Sequence, residues 1–150
     1  MANFIFSEGA TLMSSTGLDW VNTDYDCALV DDSVAAAPTW DTTWADISAA
    51  AQNAQPFANK TITSFGACAA DPLQFTNVST VNPDGRFIGF AIKRNSDNKL
   101  IAWFDTGFTT LGLSTAAAPL GNIMGMALNQ ATYTFTLRPG INNEEAWFRP

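Results

Sequence analysis

The chain has 150 residues, of which 47% are hydrophobic, 12% aromatic and 14% charged, and its formal net charge is −7. That length suits one domain with a real core, and the apolar content excludes a disordered chain. Scarce glutamate and the lack of a heptad exclude a coiled coil, and no uncharged apolar run nears the about 20 residues of a membrane helix.

The predicted elements follow in chain order. Met1 to Phe6 carries no basic residue, so no secretory signal is expected. Phe4, Ile5, Glu8, Leu12 and Met13 fall near helical spacing, and Gly17 is placed as a helix stop. Residues 1–16 therefore predict a short amphipathic helix. Tyr25 to Val30 predicts a strand running out into Asp31-Asp32-Ser33. Thr43 followed by Asp46 has the form of a helix cap and predicts a short helix over 44–51. Lys60 to Phe65 alternates and predicts a strand. Asp71-Pro72 breaks the chain, and Leu73 to Val78 alternates again.

Pro83-Asp84-Gly85 is turn chemistry. Arg86 to Arg94 and Lys99 to Asp105 then flank Asn95-Ser96-Asp97-Asn98, which predicts a β-hairpin. Both of its strands are apolar on both faces, so the hairpin should be covered on each side. Thr132 to Leu137 alternates threonine with apolar residues, as a half-exposed strand does. No repeat or linker divides the chain. The reading is a single domain over residues 1–150, mainly β: an antiparallel β-sandwich-like fold with one or two short helices.

Charge is unevenly spread. Eight acids precede Lys60 (Glu8, Asp19, Asp24, Asp26, Asp31, Asp32, Asp41 and Asp46), and no Lys or Arg does. Such a chain repels phosphate backbones and anionic membrane surfaces, so neither nucleic acid nor membrane is an expected partner. The acids either keep the surface soluble or face a basic partner or a cation. Asn22, Asp24 and Asp26 alternate like calcium-loop ligands, but Cys27 and Ser33 stand where that loop needs Gly and Glu. A looser cation site from Asp24, Asp26, Asp31 and Asp32 competes with a plain solvated loop.

Without histidine, Ser-His-Asp and Cys-His catalysis are excluded, as is a zinc site with histidine ligands. Two cysteines alone make no structural zinc site, and no phosphate-binding glycine loop is present. Paired-carboxylate hydrolysis needs only acids, yet nothing singles out a pair; Asp71 and Asp105 alone adjoin apolar strands. The expectation is a non-enzyme with no metal and no cofactor. Cys27 and Cys68 lie in apolar segments and read as free buried thiols, which fits a reducing compartment.

The tryptophans offer the best contact candidates. Trp103, in the apolar hairpin, reads as core. Trp20, Trp40 and Trp44 lie in polar, acidic surroundings and read as surface aromatics for glycan stacking or an interface, or as core edges. Trp147-Phe148-Arg149 near the C-terminus should dock onto the chain's own body or onto a neighbour. With Phe4, Ile5 and Phe6 they are the candidate partner contacts, and residues 1–16 and 141–150 are candidate assembly-contact ends.

A resemblance follows from the order of motifs. Gly17-Leu18-Asp19-Trp20, Asp24, and Cys27-Ala28-Leu29-Val30-Asp31 look like the opening of a group of small tailed-bacteriophage virion proteins. Trp44-Ala45-Asp46-Ile47 is similar to the group's short helix, and Ala69 to Phe75 to its "Ala-Asp-Pro-x-x-Phe" step. Gly89-Phe90-Ala91-Ile92 with Leu100 to Asp105 resembles its central hairpin. The resemblance spans roughly residues 3 to 137. It implies a structural virion protein, most plausibly a capsid decoration (cement) protein, assembled in the host cytoplasm. It further implies the major capsid protein as partner, a homotrimer, and no catalytic residue. The competing reading is a glycan- or receptor-binding module of a phage tail fibre or spike.

Overall fold

The computed structural model of the chain describes residues 3–15, 17–64, 66–78, 85–105, 108–114, 133–139 and 146–148. In chain order the elements begin with β1 (Phe4–Ile5), α1 (Ser7–Ser15), β2 (Tyr25–Asp31) and α2 (Trp44–Ile47). A 3-10 turn at Ser48–Ala50 leads into β3 (Ala51–Pro56), followed by β4 (Thr61–Ile62), β5 (Cys68–Ala69) and β6 (Leu73–Val78). Then come β7 (Phe87–Arg94), β8 (Leu100–Phe104), β9 (Phe108–Ser114), β10 (Tyr133–Pro139) and β11 (Ala146–Phe148). The protein is mainly β, with two short helices and antiparallel pairing, as the sequence predicts.

A five-stranded sheet runs in the order β1-β8-β7-β2-β3. The expected hairpin, β7 with β8, forms its centre together with β2; Ala91 stands opposite Trp103 and Ala28. Burial on both faces is the reason for its doubly apolar sequence. Tyr25, Cys27 and Leu29 of β2, with Phe90 and Ile92 of β7, face one core. Val30 and Ala91 face a second. A second sheet, β6-β10-β9, supplies Leu73, Phe75, Phe135 and Leu137 to the first core. Aromatic rings bridge the layers: Phe75 lies 5.8 Å from Phe90, and Phe108 meets Phe90 edge-on at 5.2 Å. The second core lies under α2, where Ile47 and Ala50 meet Phe6, Val30 and Trp103. A third small sheet, β11-β5-β4, adds Cys68, Trp147 and Phe148 to the first core.

The sequence expectations need four local corrections. The predicted helix over 1–16 begins only at Ser7, because Phe4 and Ile5 pair with Trp103 and Ala102 of β8. Its stop is as expected: Gly17 has φ +77°, the left-handed region glycine tolerates. The predicted helix over 44–51 ends at Ile47; its capping box is present, with Thr43 and Asp46 bonding reciprocally. Ala51 then turns into β3, which pairs with β2 at Leu29↔Gln52. Of the described residues in the predicted strand 60–65, only Thr61–Ile62 pairs, and Phe65 lies outside the described residues. The strands at 108–114 and 146–148 have no counterpart in the sequence reading.

One edge of the large sheet is closed by the residues that precede it. Phe6 N–H donates to the Ile101 carbonyl (3.0 Å), and Asp105 N–H donates to Asn3 Oδ1 (3.0 Å). Leu100 N–H donates to Glu8 Oε1 (3.4 Å), and Glu8 Oε2 lies 3.0 Å from Lys99 Nζ. Helix α1 then lies directly on β8. At Gly9 an added Cβ would stand 2.6 Å from the Ile101 carbonyl oxygen, so only glycine fits that approach. Closing an edge in this way blunts strand addition by other chains.

Candidate functional site

The two chain segments singled out as partner contacts come together. Between them runs an open apolar groove of about 260 Å³, lined among others by Phe4, Ile5, Phe104, Trp147 and Phe148. Phe4 and Ile5 are half-buried there. Phe6, Trp147 and Phe148, however, are not surface contacts: all three are buried in the chain's own cores. Phe6 sits between Val30, Ile47 and Trp103. Trp147 meets Phe57 edge-on at 5.0 Å and lies 5.9 Å from Phe104. Phe148 meets Trp20 edge-on at 5.3 Å. Of the two docking partners considered for the C-terminal aromatics, the chain's own body is the one observed. Arg149 lies outside the described residues.

The three surface tryptophans have three different fates. Trp20 is 1% exposed, a correction to its reading as a surface aromatic. Its indole N–H donates to the Ala69 carbonyl (2.8 Å), and its ring packs on Tyr25 and Phe57. Polar neighbours in sequence hid a side chain whose partners lie far along the chain. Lys60 reaches over it: Nζ stands 5.7 Å from the Trp20 ring and 5.3 Å from Tyr25, and donates to the Thr23 carbonyl. Trp44 is half-buried against the second core, with Lys93 Nζ 5.2 Å above its ring. Trp40 alone of the three stands out, 62% exposed. Trp103 is core, as expected.

The acids of β2 and its following turn do not converge. Asp26 Oδ1 accepts from Asn95 Nδ2 (2.9 Å). Asp31 is fully buried and accepts from the Ser33 N–H (2.9 Å) and the Ser33 hydroxyl. Asp32 Oδ1 accepts from the Arg86 N–H (3.1 Å). Each is a local brace. Among the described residues no group of three or more His, Cys, Asp or Glu gathers as metal ligands would. Asp71 accepts from Asn59 Nδ2 (2.6 Å), and the Asp105 backbone N–H donates to Asn3 Oδ1 at the sheet edge (3.0 Å). Cys27 and Cys68 are free and buried, as expected. Burial disfavours their thiolates and pushes Cys68 up to about 12.

An open hollow lies among residues 35–46. It encloses about 300 Å³ and is lined by Ala35, Ala36, Ala37, Thr39, Asp41, Thr42 and Asp46. Thr39 Oγ1 donates to Asp41 Oδ1 (2.7 Å), and the Thr39 N–H donates to Thr42 Oγ1 (2.8 Å). The Thr43 N–H and hydroxyl both donate to Asp46 Oδ2 (2.8 and 3.0 Å). These two bonds hold the Asp46 carboxyl below its ordinary range, so it stays ionised. The sequence pointed to Trp40 but not to the hollow; its available signal was the run of Thr and Asp from 39 to 46.

No helix among the described residues is long and apolar enough to cross a membrane. No family model, curated protein or solved structure matches the chain.

Proposed function

We propose that the protein is a structural subunit of a bacteriophage head, a decoration protein that binds the major capsid protein and acts as a homotrimer. One observation carries this reading: two segments from opposite ends of the sequence converge on a single apolar groove at a sheet edge. Half-buried Phe4 and Ile5 lie in that groove on a framework of buried aromatics. A rigid apolar patch of this kind is what a permanent contact uses. The resembling motifs support the reading from another side. Asp19-Trp20 forms the turn that seats the third sheet, and 27–31, 89–92 and 100–104 are the central strands. All are architecture, and architecture is what a virion protein supplies.

The test is binding to assembled capsids. Native mass spectrometry of the free protein should give a trimer, and the protein should co-sediment with capsids of its phage. Ile5→Asp should abolish co-sedimentation while leaving the circular dichroism spectrum unchanged. Full binding by a folded Ile5→Asp variant would overturn the assignment of the groove. A protein that binds no capsid protein at all would overturn the function.

A further inference from the structure

We propose that the apolar groove between β1, β8 and β11 receives residues 115–132 of a second copy of this chain, so that each copy gives one segment and takes one. This rests on the homotrimer proposed above and names what fills the groove within it. Residues 115–132 themselves lie outside the described residues.

The first support is the match of charge. The protein carries a net −7, so two copies repel each other over most of their surfaces. Between Asp105 and Arg138, however, the sequence holds no charged residue. Residues 115–132 are the middle of that stretch, and they include Leu120, Ile123, Met124, Met126 and Leu128. The groove is of the same kind: among the described residues that line it none is charged. A charged partner would lose hydration there and gain no counter-charge. Methionine, unbranched and polarizable, adapts to an irregular apolar surface.

The second support is where the segment begins and ends. Thr134 of β10 stands opposite Ser114 of β9, so the 18 residues from 115 to 132 leave the second sheet and return to it at one place. A hairpin connection ordinarily takes about 2–5 residues, so most of this length is surplus to the turn. Half of it, as extended chain, spans about 30 Å, the diameter of a small domain. That is reach enough for a neighbouring copy.

The third support lies in the groove. Trp103 and Trp147 both line it and are 1% and 2% exposed. Neither indole N–H meets an acceptor among the described residues. The Trp20 indole N–H, by contrast, has the Ala69 carbonyl. Buried donors without an acceptor are rare and destabilising. A peptide occupant brings carbonyl oxygens together with its apolar side chains, and a purely apolar ligand brings none. Giving at one place and taking at another is a head-to-tail contact, and three such junctions close a trimer.

The experiment is native mass spectrometry of two full-length variants, alone and mixed, at a concentration where the parent is trimeric. Ile5→Asp places a charge in the groove. The double variant Ile123→Asp, Met124→Asp places charge in the segment. Each alone should be monomeric with an unchanged circular dichroism spectrum. Mixed, they should form a one-to-one dimer, because one intact groove then meets one intact segment and no ring can close. A synthetic peptide of residues 119–130 should bind the double variant, shift its tryptophan emission, and leave Ile5→Asp unaffected. If Ile5→Asp loses its fold, the double variant and the peptide carry the test. A trimer that survives the double variant overturns the proposal. So does a monomeric parent, a pair of dissociated variants that do not combine, or a double variant that ignores the peptide. A trimer that survives both variants while Ile5→Asp loses capsid binding would return the groove to the capsid protein. A trimer built as described that binds no capsid would sink the capsid reading and leave this one standing.

Discussion

Gly9→Ala tests the closed edge of the large sheet, and two opposed effects set its magnitude. Alanine favours the helix by at most about 1 kcal/mol over glycine, so propensity alone predicts stabilisation. The new Cβ, however, would stand 2.6 Å from the Ile101 carbonyl oxygen, 2.8 Å from its Cα and 3.1 Å from its carbonyl carbon. An ordinary C···O approach is about 3.3–3.6 Å, so α1 must retreat by about 0.7–1 Å. The obstacle is strand backbone, which cannot swing aside as a side chain can. Overpacking of this kind costs about 1–3 kcal/mol. Retreat also strains the Glu8 bonds to Leu100 and Lys99 and loosens Leu12 and Met13 from the core. Packing outweighs propensity, and the expected net loss is about 1–2 kcal/mol, or about 2–8 °C in Tm. Urea and thermal unfolding followed by circular dichroism give the number. Hydrogen exchange gives the mechanism: the Leu100 and Asp105 amides, bonded to Glu8 and Asn3, should lose protection first. Ser14→Ala, on the exposed face of the same helix, isolates propensity and should be neutral or slightly stabilising. A Gly9→Ala protein as stable as the parent would show that α1 does not seat on β8 through Gly9.

Four further outcomes follow from buried and half-buried polar groups. Asp31→Ala removes a buried carboxylate and leaves the half-buried Ser33 N–H and hydroxyl without their acceptor; it should cost about 1–3 kcal/mol in urea unfolding, and a neutral result would mean that solvent replaces the acceptor. Lys60→Met keeps the side-chain stem but removes the ammonium over Trp20 and Tyr25 and the bond to Thr23; it should cost about 1 kcal/mol and shift tryptophan emission, and an unchanged Tm would dismiss the contact as incidental. Cys27 and Cys68 should resist thiol reagents at pH 8 until the protein unfolds, whereas rapid native labelling would contradict their burial. Because burial raises both thiols above the ordinary value of 9.0, the fold binds their protons more tightly than the unfolded chain does. The contribution of Cys68 is complete below pH 9 and is lost as pH rises towards about 12. Unfolding midpoints at pH 8 and pH 10.5 should show that fall, and Cys68→Ala should make it shallower.

What the sequence displayed, and what it hid, follows from the distance over which each residue finds its partners. The β7–β8 hairpin was legible because its apolar residues are contiguous and its loop is polar. The alternation of β10 was legible for the same local reason: Phe135 and Leu137 are buried between half-buried threonines. Strand β3 was not, because Ala51-Gln52-Asn53-Ala54-Gln55 has little intrinsic strand preference; pairing with β2 imposes the conformation. The helical spacing of Phe4 and Ile5 misled for a related reason. Two residues cannot distinguish a helical stripe from a strand whose partner lies at 102–103. At the candidate site, exposure of Trp40 and burial of Trp20 look alike in sequence, since both stand beside aspartate. What separates them is the Ala69 carbonyl that receives the Trp20 indole, a contact 49 positions away.

The seal on β8 also fixes an order of events during vectorial synthesis. Asn3 and Glu8 bond to residues 102 and 92 positions further along. At translation rates of about 5–20 residues per second, the segment 3–8 spends about 5–20 s without the strand it must cover. Throughout that interval Phe4 and Ile5 lack the strand residues they pair with, Trp103 and Ala102. The long loop they must close makes their docking a late step, after the local β7–β8 hairpin has formed. The ribosome thus presents this segment before its partner strand, and the fold fastens it after that strand is in place.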